Sequence, residues 1–242
     1  MASKRSRRFC QLFAAVLLLA GFLILTLLSY GLYLRSQADH LLADVKQLKA
    51  GESSFSDAEL ISRRYRRFRI IGGGSAPVSA NPTDNKFPDD CTAVKCLMNF
   101  AIVNDPVSRF RLVQGAAVGA TIAVSNAKVR YLEARISGGP HGVNGAIVTE
   151  VEESPRSTQF LYEFPTPVGK PYLHVQVTSA APSGVRKRAW TLSTSCLISR
   201  TGCDIPCDYL PLAWQDWKTS LVGKGISEAD FRISYRNDDH CK

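Results

Sequence analysis

A chain of 242 residues with 45% hydrophobic and 21% charged side chains holds enough apolar material for one ordinary domain plus appendages. That composition excludes a wholly disordered chain, a collagen and a polytopic membrane protein. The net charge of +9 is unevenly spread, with 12 Lys/Arg against 5 Asp/Glu in residues 1–70 and 18 against 16 in residues 71–242. A nucleic-acid-binding domain concentrates positive charge on its folded body, where counterion release supplies affinity, and this body is nearly neutral. The expectation is no nucleic-acid partner.

Residues 9–34 form a run of 26 without one charged side chain. As a helix at about 1.5 Å per residue it spans about 39 Å, more than a hydrocarbon core of about 30 Å. Lys4, Arg5, Arg7 and Arg8 precede the run and only Arg35 follows closely, which predicts a cytoplasmic tail over 1–8, a transmembrane helix over 9–34 and a translocated remainder. Tyr30 and Tyr33 sit where an interfacial aromatic belt is expected. A cleaved signal peptide is the alternative, with Ser36-Gln37-Ala38 as its cleavage site, but a signal core is only about 7–15 residues long. Phe22 stands where a lipidated cysteine would follow Leu19-Ala20-Gly21, so the chain does not read as a lipoprotein. The expected location is the cytoplasmic (inner) membrane, single-pass, with the C-terminal domain extracytoplasmic.

Residues 35–71 read as a helical juxtamembrane stalk. Leu41, Leu42, Val45 and Leu48 give a short amphipathic helix over 36–50, stopped by Gly51. Ser56-Asp57-Ala58-Glu59 reads as a capping box and predicts a second helix over 56–68. Arg63, Arg64, Arg66, Arg67 and Arg69, interleaved with Tyr65 and Phe68, are the candidate contact for anionic headgroups. The plainer alternative is a solvated helix end, and another envelope protein is the remaining partner class. Residues 72–90, rich in Gly, Pro, Ser and Asn, read as a flexible linker that leaves stalk and body free to move relative to one another.

Residues 91–242 read as a disulfide-braced, β-rich extracytoplasmic domain. Eight short apolar stretches, 97–103, 110–113, 118–124, 129–136, 146–151, 160–164, 172–177 and 189–198, are broken by Gly, Pro, Asn and Ser. Alternation is plain where Leu132, Ala134 and Ile136 oppose Tyr131, Glu133 and Arg135, and where Leu173, Val175 and Val177 oppose Tyr172, His174 and Gln176. The predicted class is α+β: the transmembrane helix and stalk, then a mainly antiparallel sheet or two-layer sandwich, then a helix from about Pro211 carrying Trp214 and Trp217.

Six of the seven cysteines lie on the translocated side, an even number that predicts three disulfides, with Cys10 left apart. Local closure favours Cys91–Cys96, Cys196–Cys203 and Cys207–Cys241. Zinc held by Cys196, Cys203, Cys207 and His240 or Cys241 is the alternative, but the spacing lacks the two tight knuckles of structural sites. His40, His141, His174 and His240 stand in no pattern that makes a base, and no nucleophile elbow, zincin pair or phosphate-binding loop occurs. No cofactor or metal is expected.

Two segments, Leu41-Leu42-Ala43-Asp44-Val45-Lys46-Gln47-Leu48-Lys49-Ala50-Gly51-Glu52-Ser53-Ser54-Phe55-Ser56-Asp57-Ala58 and Cys196-Leu197-Ile198-Ser199-Arg200-Thr201-Gly202-Cys203 leading to Leu210-Pro211-Leu212-Ala213-Trp214, resemble parts of uncharacterised single-pass bacterial envelope proteins. Such relatives imply membrane anchoring and no activity. The expected function is a non-enzymatic interaction or structural module of the envelope, in contact with the lipid bilayer; the alternative is an extracytoplasmic hydrolase.

Overall fold

The computed structural model describes residues 4–70, 91–138, 144–152, 158–163, 172–199, 203 and 206–222. The first element, α1 (Lys4–Gln47), is one unbroken helix of 44 residues. Side chains over 10–30 are almost all exposed, and from Gly31 onward a stripe turns inward: Gly31, Leu34, Ala38, Leu41, Val45 and Leu48 are buried. Their alternating three- and four-residue spacing is the inward face of an amphipathic helix. The expected boundary between anchor and stalk is therefore not a structural one, since no proline or capping group interrupts the helix around Arg35.

Gly51 ends this segment with φ +82°, a left-handed conformation that favours glycine. A Cβ there would also stand 2.8 Å from Glu152 Cγ, so any larger residue would have to displace the Glu152 side chain. The second helix, α2 (Phe55–Arg64), is capped by Ser54: its hydroxyl accepts from the Asp57 amide at 3.3 Å, and the Asp57 carboxylate accepts from the Ser54 amide at 2.9 Å. The box thus forms two residues before the predicted Ser56–Glu59 one. Tertiary pairing decides this, because Ser54 is bridged to Lys128 and the Phe55 amide donates to Ala127 at 2.8 Å. Glu59 instead accepts from Arg63 at 2.8 Å.

A 3-10 turn, Arg66–Phe68, leads into the two-residue β1 (Arg69–Ile70), which joins β2 (Lys95–Val103), β3 (Ala116–Ser125), β4 (Lys128–Gly138), β5 (Asn144–Val151), β6 (Thr158–Glu163) and β7 (Tyr172–Thr178) in one sheet. The order is β1-β2-β3-β4-β5-β7-β6, antiparallel throughout except for the parallel β5–β7 pair. The prediction of a mainly antiparallel α+β domain holds, as a single mixed sheet. Register sets the inner face in rows across the strands, among them Phe100, Ala120, Ala134, Val148 and Val175, all buried. The α1 stripe, Ala58 and Ile61 of α2, and Trp214 and Trp217 of α6 (Pro211–Val222) share that core. Residues of the predicted stalk thus pack into the same core as the sheet, since an apolar stripe of this width is stabilised only by an apolar partner. The expected linker over 72–90 lies outside the described residues.

Two predicted strands are not strands. Residues 110–113 belong to the β2–β3 loop, which opens with α3 (Asp105–Ser108) and contains Arg111 at φ 56°, incompatible with an extended run. Buried Asn104 organises this loop: its amide group donates to Gln114 O and Leu197 O, both at 2.8 Å, and its side-chain oxygen accepts from the Ala116 amide at 2.8 Å. Residues 189–198 comprise the end of α4 (Ser183–Ala189), an irregular stretch and a 3-10 turn at Thr194–Leu197. A further short helix, α5 (Pro206–Tyr209), precedes α6.

Disulfides join Cys91 to Cys96 and Cys196 to Cys203, as expected, with Cα separations of 4.4 and 5.4 Å. Cys207 is also disulfide-bonded, and Cys241 lies outside the described residues. Cys10 is free and exposed.

One polar cluster ties the layers together. Glu150 points into the core and is fully buried. Its carboxylate accepts from the Ala50 amide at 3.1 Å, from Arg186 Nε at 2.7 Å and from Trp190 Nε1 at 3.0 Å. Arg186 also donates to Leu48 O at 2.5 Å, so a helix end, a strand and α4 meet at one ion pair. Removing one member of a buried pair leaves an uncompensated charge, which costs about 3–5 kcal/mol. Glu150→Ala is expected to lower the unfolding free energy of the detergent-solubilised protein by about that amount. Urea titration followed by tryptophan fluorescence measures it.

Candidate functional site

The five arginines singled out in the sequence are brought back along α1 by the α1–α2 hairpin. The hairpin starts beside the β3–β4 turn, where Gly51 N donates to Val129 O at 2.7 Å, and α2 then descends antiparallel to α1. Asp44 of α1 receives Arg64 Nη1 at 2.6 Å and the Tyr65 hydroxyl at 2.8 Å. One helical turn pair further down, Arg67 donates to Gln37 Oε1 at 3.0 Å, and its guanidinium lies 5.0 Å from the Tyr33 ring centroid and 4.7 Å from that of Phe68.

This geometry separates the arginines. Arg63 and Arg64 are exposed but paired with Glu59 and Asp44. Arg69 is half-buried, donates to Ser62 Oγ at 3.3 Å, and has its pKa lowered by burial and then by the charge of Arg66. Arg66 and Arg67 are both exposed, and Arg67 lies against Tyr33, in the last turn of the uncharged run. Stacking of a guanidinium between two aromatic rings holds its charge at a defined height without hiding it from solvent.

The outer face of the sheet is polar. Register aligns Asn99, Thr121, Glu133, Thr149 and Gln176 in one row across β2, β3, β4, β5 and β7. Thr121 donates to Asn99 Oδ1 at 2.9 Å, and Glu133 accepts from Tyr131 at 2.5 Å and pairs with Arg135 at 3.2 Å. Burial and then the Glu133 bond raise the Tyr131 phenol well above its ordinary value. His174 Nε2 lies 2.9 Å from the buried Thr149 hydroxyl. The carboxylate next along the row, Glu133, is engaged by Tyr131 and Arg135, so the hydroxyl–imidazole pair stands in a side-chain ladder typical of a sheet surface. His141 and His240 lie outside the described residues. Among the described residues no three His, Cys, Asp or Glu side chains are grouped to hold a metal ion.

Sequence reasoning treated the arginines as one cluster. It missed that Asp44 receives Arg64 and that Gln37 and Tyr33 receive Arg67, because those contacts span 20 to 34 positions and depend on the hairpin angle. The spacing of Asp44, Gln37 and Tyr33 on adjacent faces of one helix is the signal that could have found them. No protein-family model, curated protein or solved structure matches this chain.

The Tyr65 phenol is pushed up to about 12, first by burial and then by its bond to Asp44. A folded-state value above the unfolded one makes its contribution complete below about pH 10 and lost as pH rises toward the folded value. The urea midpoint is therefore expected to fall between pH 9 and pH 11.5 by more in the native protein than in Tyr65→Phe.

Proposed function

We propose that this chain is a single-pass, membrane-anchored extracytoplasmic module of the cell envelope, with an interaction or structural role and residues 1–8 on the cytoplasmic side. The observation that carries the reading is the continuity of α1: a long exposed apolar stretch passes without a break into a stripe buried in the sheet domain. Such a helix fixes the height and orientation of the domain above the bilayer. The disulfides support an oxidising compartment on the domain side. Cleavage after Ala38 would strip Gly31, Leu34 and Ala38 from the core and Tyr33 and Gln37 from Arg67, which favours an uncleaved anchor.

Arg67, at the level of the last apolar turn, and its exposed neighbour Arg66 supply contacts for anionic headgroups, each worth about 1 kcal/mol near the surface and less at high salt. The polar outer face of the sheet is the surface presented away from α1, available to another envelope protein.

Alkaline carbonate treatment of membranes is expected to leave full-length protein in the pellet, and an impermeant maleimide is expected to label Cys10 only after the cells are permeabilised. Release into the supernatant, or a mature N-terminus at Asp39, contradicts the anchor.

A further inference from the structure

We propose that the β2–β3 loop, Ser108-Arg109-Phe110-Arg111-Leu112, is a second membrane contact, a wedge that inserts Phe110 into the interface of an anionic phospholipid bilayer while Arg109 and Arg111 bind lipid phosphates. The proposal rests on the anchor reading of α1 and adds a site that the arginines of 63–69 do not include.

The placement follows from Gly31. A Cβ built on that residue would lie 3.7 Å from Val107 Cγ2 and 3.6 Å from Ile198 Cγ2, so α3 and the 3-10 turn at Thr194–Leu197 are seated against the apolar run itself. Gly31 lies three residues before the end of that run, about 4.5 Å along the helix axis on the hydrocarbon side. The run exceeds the hydrocarbon thickness by about 9 Å, so sharing the excess between both ends puts Gly31 near the boundary with the headgroup layer. Whatever packs on Gly31 is then at headgroup depth. The far end of α1 meets the β3–β4 turn, so the β2–β3 loop is at the membrane-proximal end of the sheet.

The side chains at this depth suit an interface. Val107 is buried against the helix, whereas the large aromatic side chain of Phe110 is 58% exposed. Exposed arginines flank it on both sides, and the contact between Arg109 and Asp105, at 3.8 Å between two exposed side chains, is worth little. Arg111 is held at φ 56°, and the loop is clamped by Asn104, by Arg111 N donating to Ser108 O at 2.8 Å and by Gln114 N donating to Ser199 O at 3.0 Å. An aromatic tip between two cations, fixed on a rigid turn, matches a surface that is apolar within and phosphate-lined without. On the helical wheel, at about 100° per residue, Gly31 and Tyr33 stand about 160° apart. The wedge and the Arg66–Arg67 turn therefore flank α1 on different sides, and together they oppose tilting of the domain.

The test uses the full chain in vesicles containing anionic phospholipid, in a Cys10→Ser background carrying an environment-sensitive fluorophore at Leu17→Cys, Phe110→Cys or Lys128→Cys. Quenching by lipids spin-labelled near the headgroup is expected to be at least about twofold stronger at 110 than at 128, and R109E/R111E is expected to remove most of that excess. Quenching at 110 equal to that at 128, with the probe at 17 shielded from aqueous iodide, overturns the wedge and leaves the anchor standing. A probe at 17 open to iodide overturns the anchor reading itself. Excess quenching that survives R109E/R111E overturns the assignment of the phosphates to the two arginines.

Discussion

One helix carries two surface patterns, apolar all round and then apolar along a single stripe, and the rest of this fold is arranged around that constraint. Through residues 10–30, α1 presents apolar side chains in every direction, which suits a hydrocarbon surround and not water. From Gly31 it narrows to a stripe, and the sheet supplies the matching apolar face. A hinge between these regimes would leave Leu34, Ala38 and Leu41 facing water, and each large buried aliphatic contributes about 1.5–3 kcal/mol. The domain therefore begins at the end of the apolar run, not after a spacer.

Fixing the helix against the sheet requires more than apolar contact, because a stripe of Leu, Val and Ala can slide or rotate. Glu150 removes that freedom. Its carboxylate takes the Ala50 amide just past the end of α1, while Arg186 takes Leu48 O, so both backbone polarities of that helix end are satisfied by one ion pair reaching from β5 and α4. Near the other end of the docked segment, Asp39 accepts from the Thr194 hydroxyl at 2.5 Å, and Gly31 admits Val107 and Ile198. Between them Asp44 and Gln37 hold the returning arginines. Polar contacts thus pin the helix at intervals along a length that apolar contact stabilises.

Local signals were legible in the sequence. The charge-free run, the alternation along β4 and β7, the stop at Gly51, the two short-range disulfides and the helix at Pro211 each depend on residues close together in the chain. What was not legible depends on partners far apart. Ser54 and Ser56 offer equivalent hydroxyls, and only the bridge from Ser54 to Lys128 selects the cap. The stretch Phe110–Arg111–Leu112–Val113 has strand composition, but Asn104 folds it into a loop through contacts with Gln114, Ala116 and Leu197. Nothing local to Glu150 marks it as buried, and its partners Arg186 and Trp190 stand 36 and 40 residues later. The candidate arginines were visible as a composition, whereas the pairing of Arg64 with Asp44, the half-burial of Arg69 and the seating of Arg67 on Tyr33 needed the hairpin.

Hydrogen exchange of the full chain in lipid nanodiscs tests most directly whether anchor and domain are one rigid element. Amides of residues 34–47 are predicted to exchange only through the same global opening as the central strand β3, with equal opening free energies, since both belong to one core. Rapid exchange confined to residues 35–40, with β3 still protected, would place a hinge between the apolar run and the domain and contradict the account.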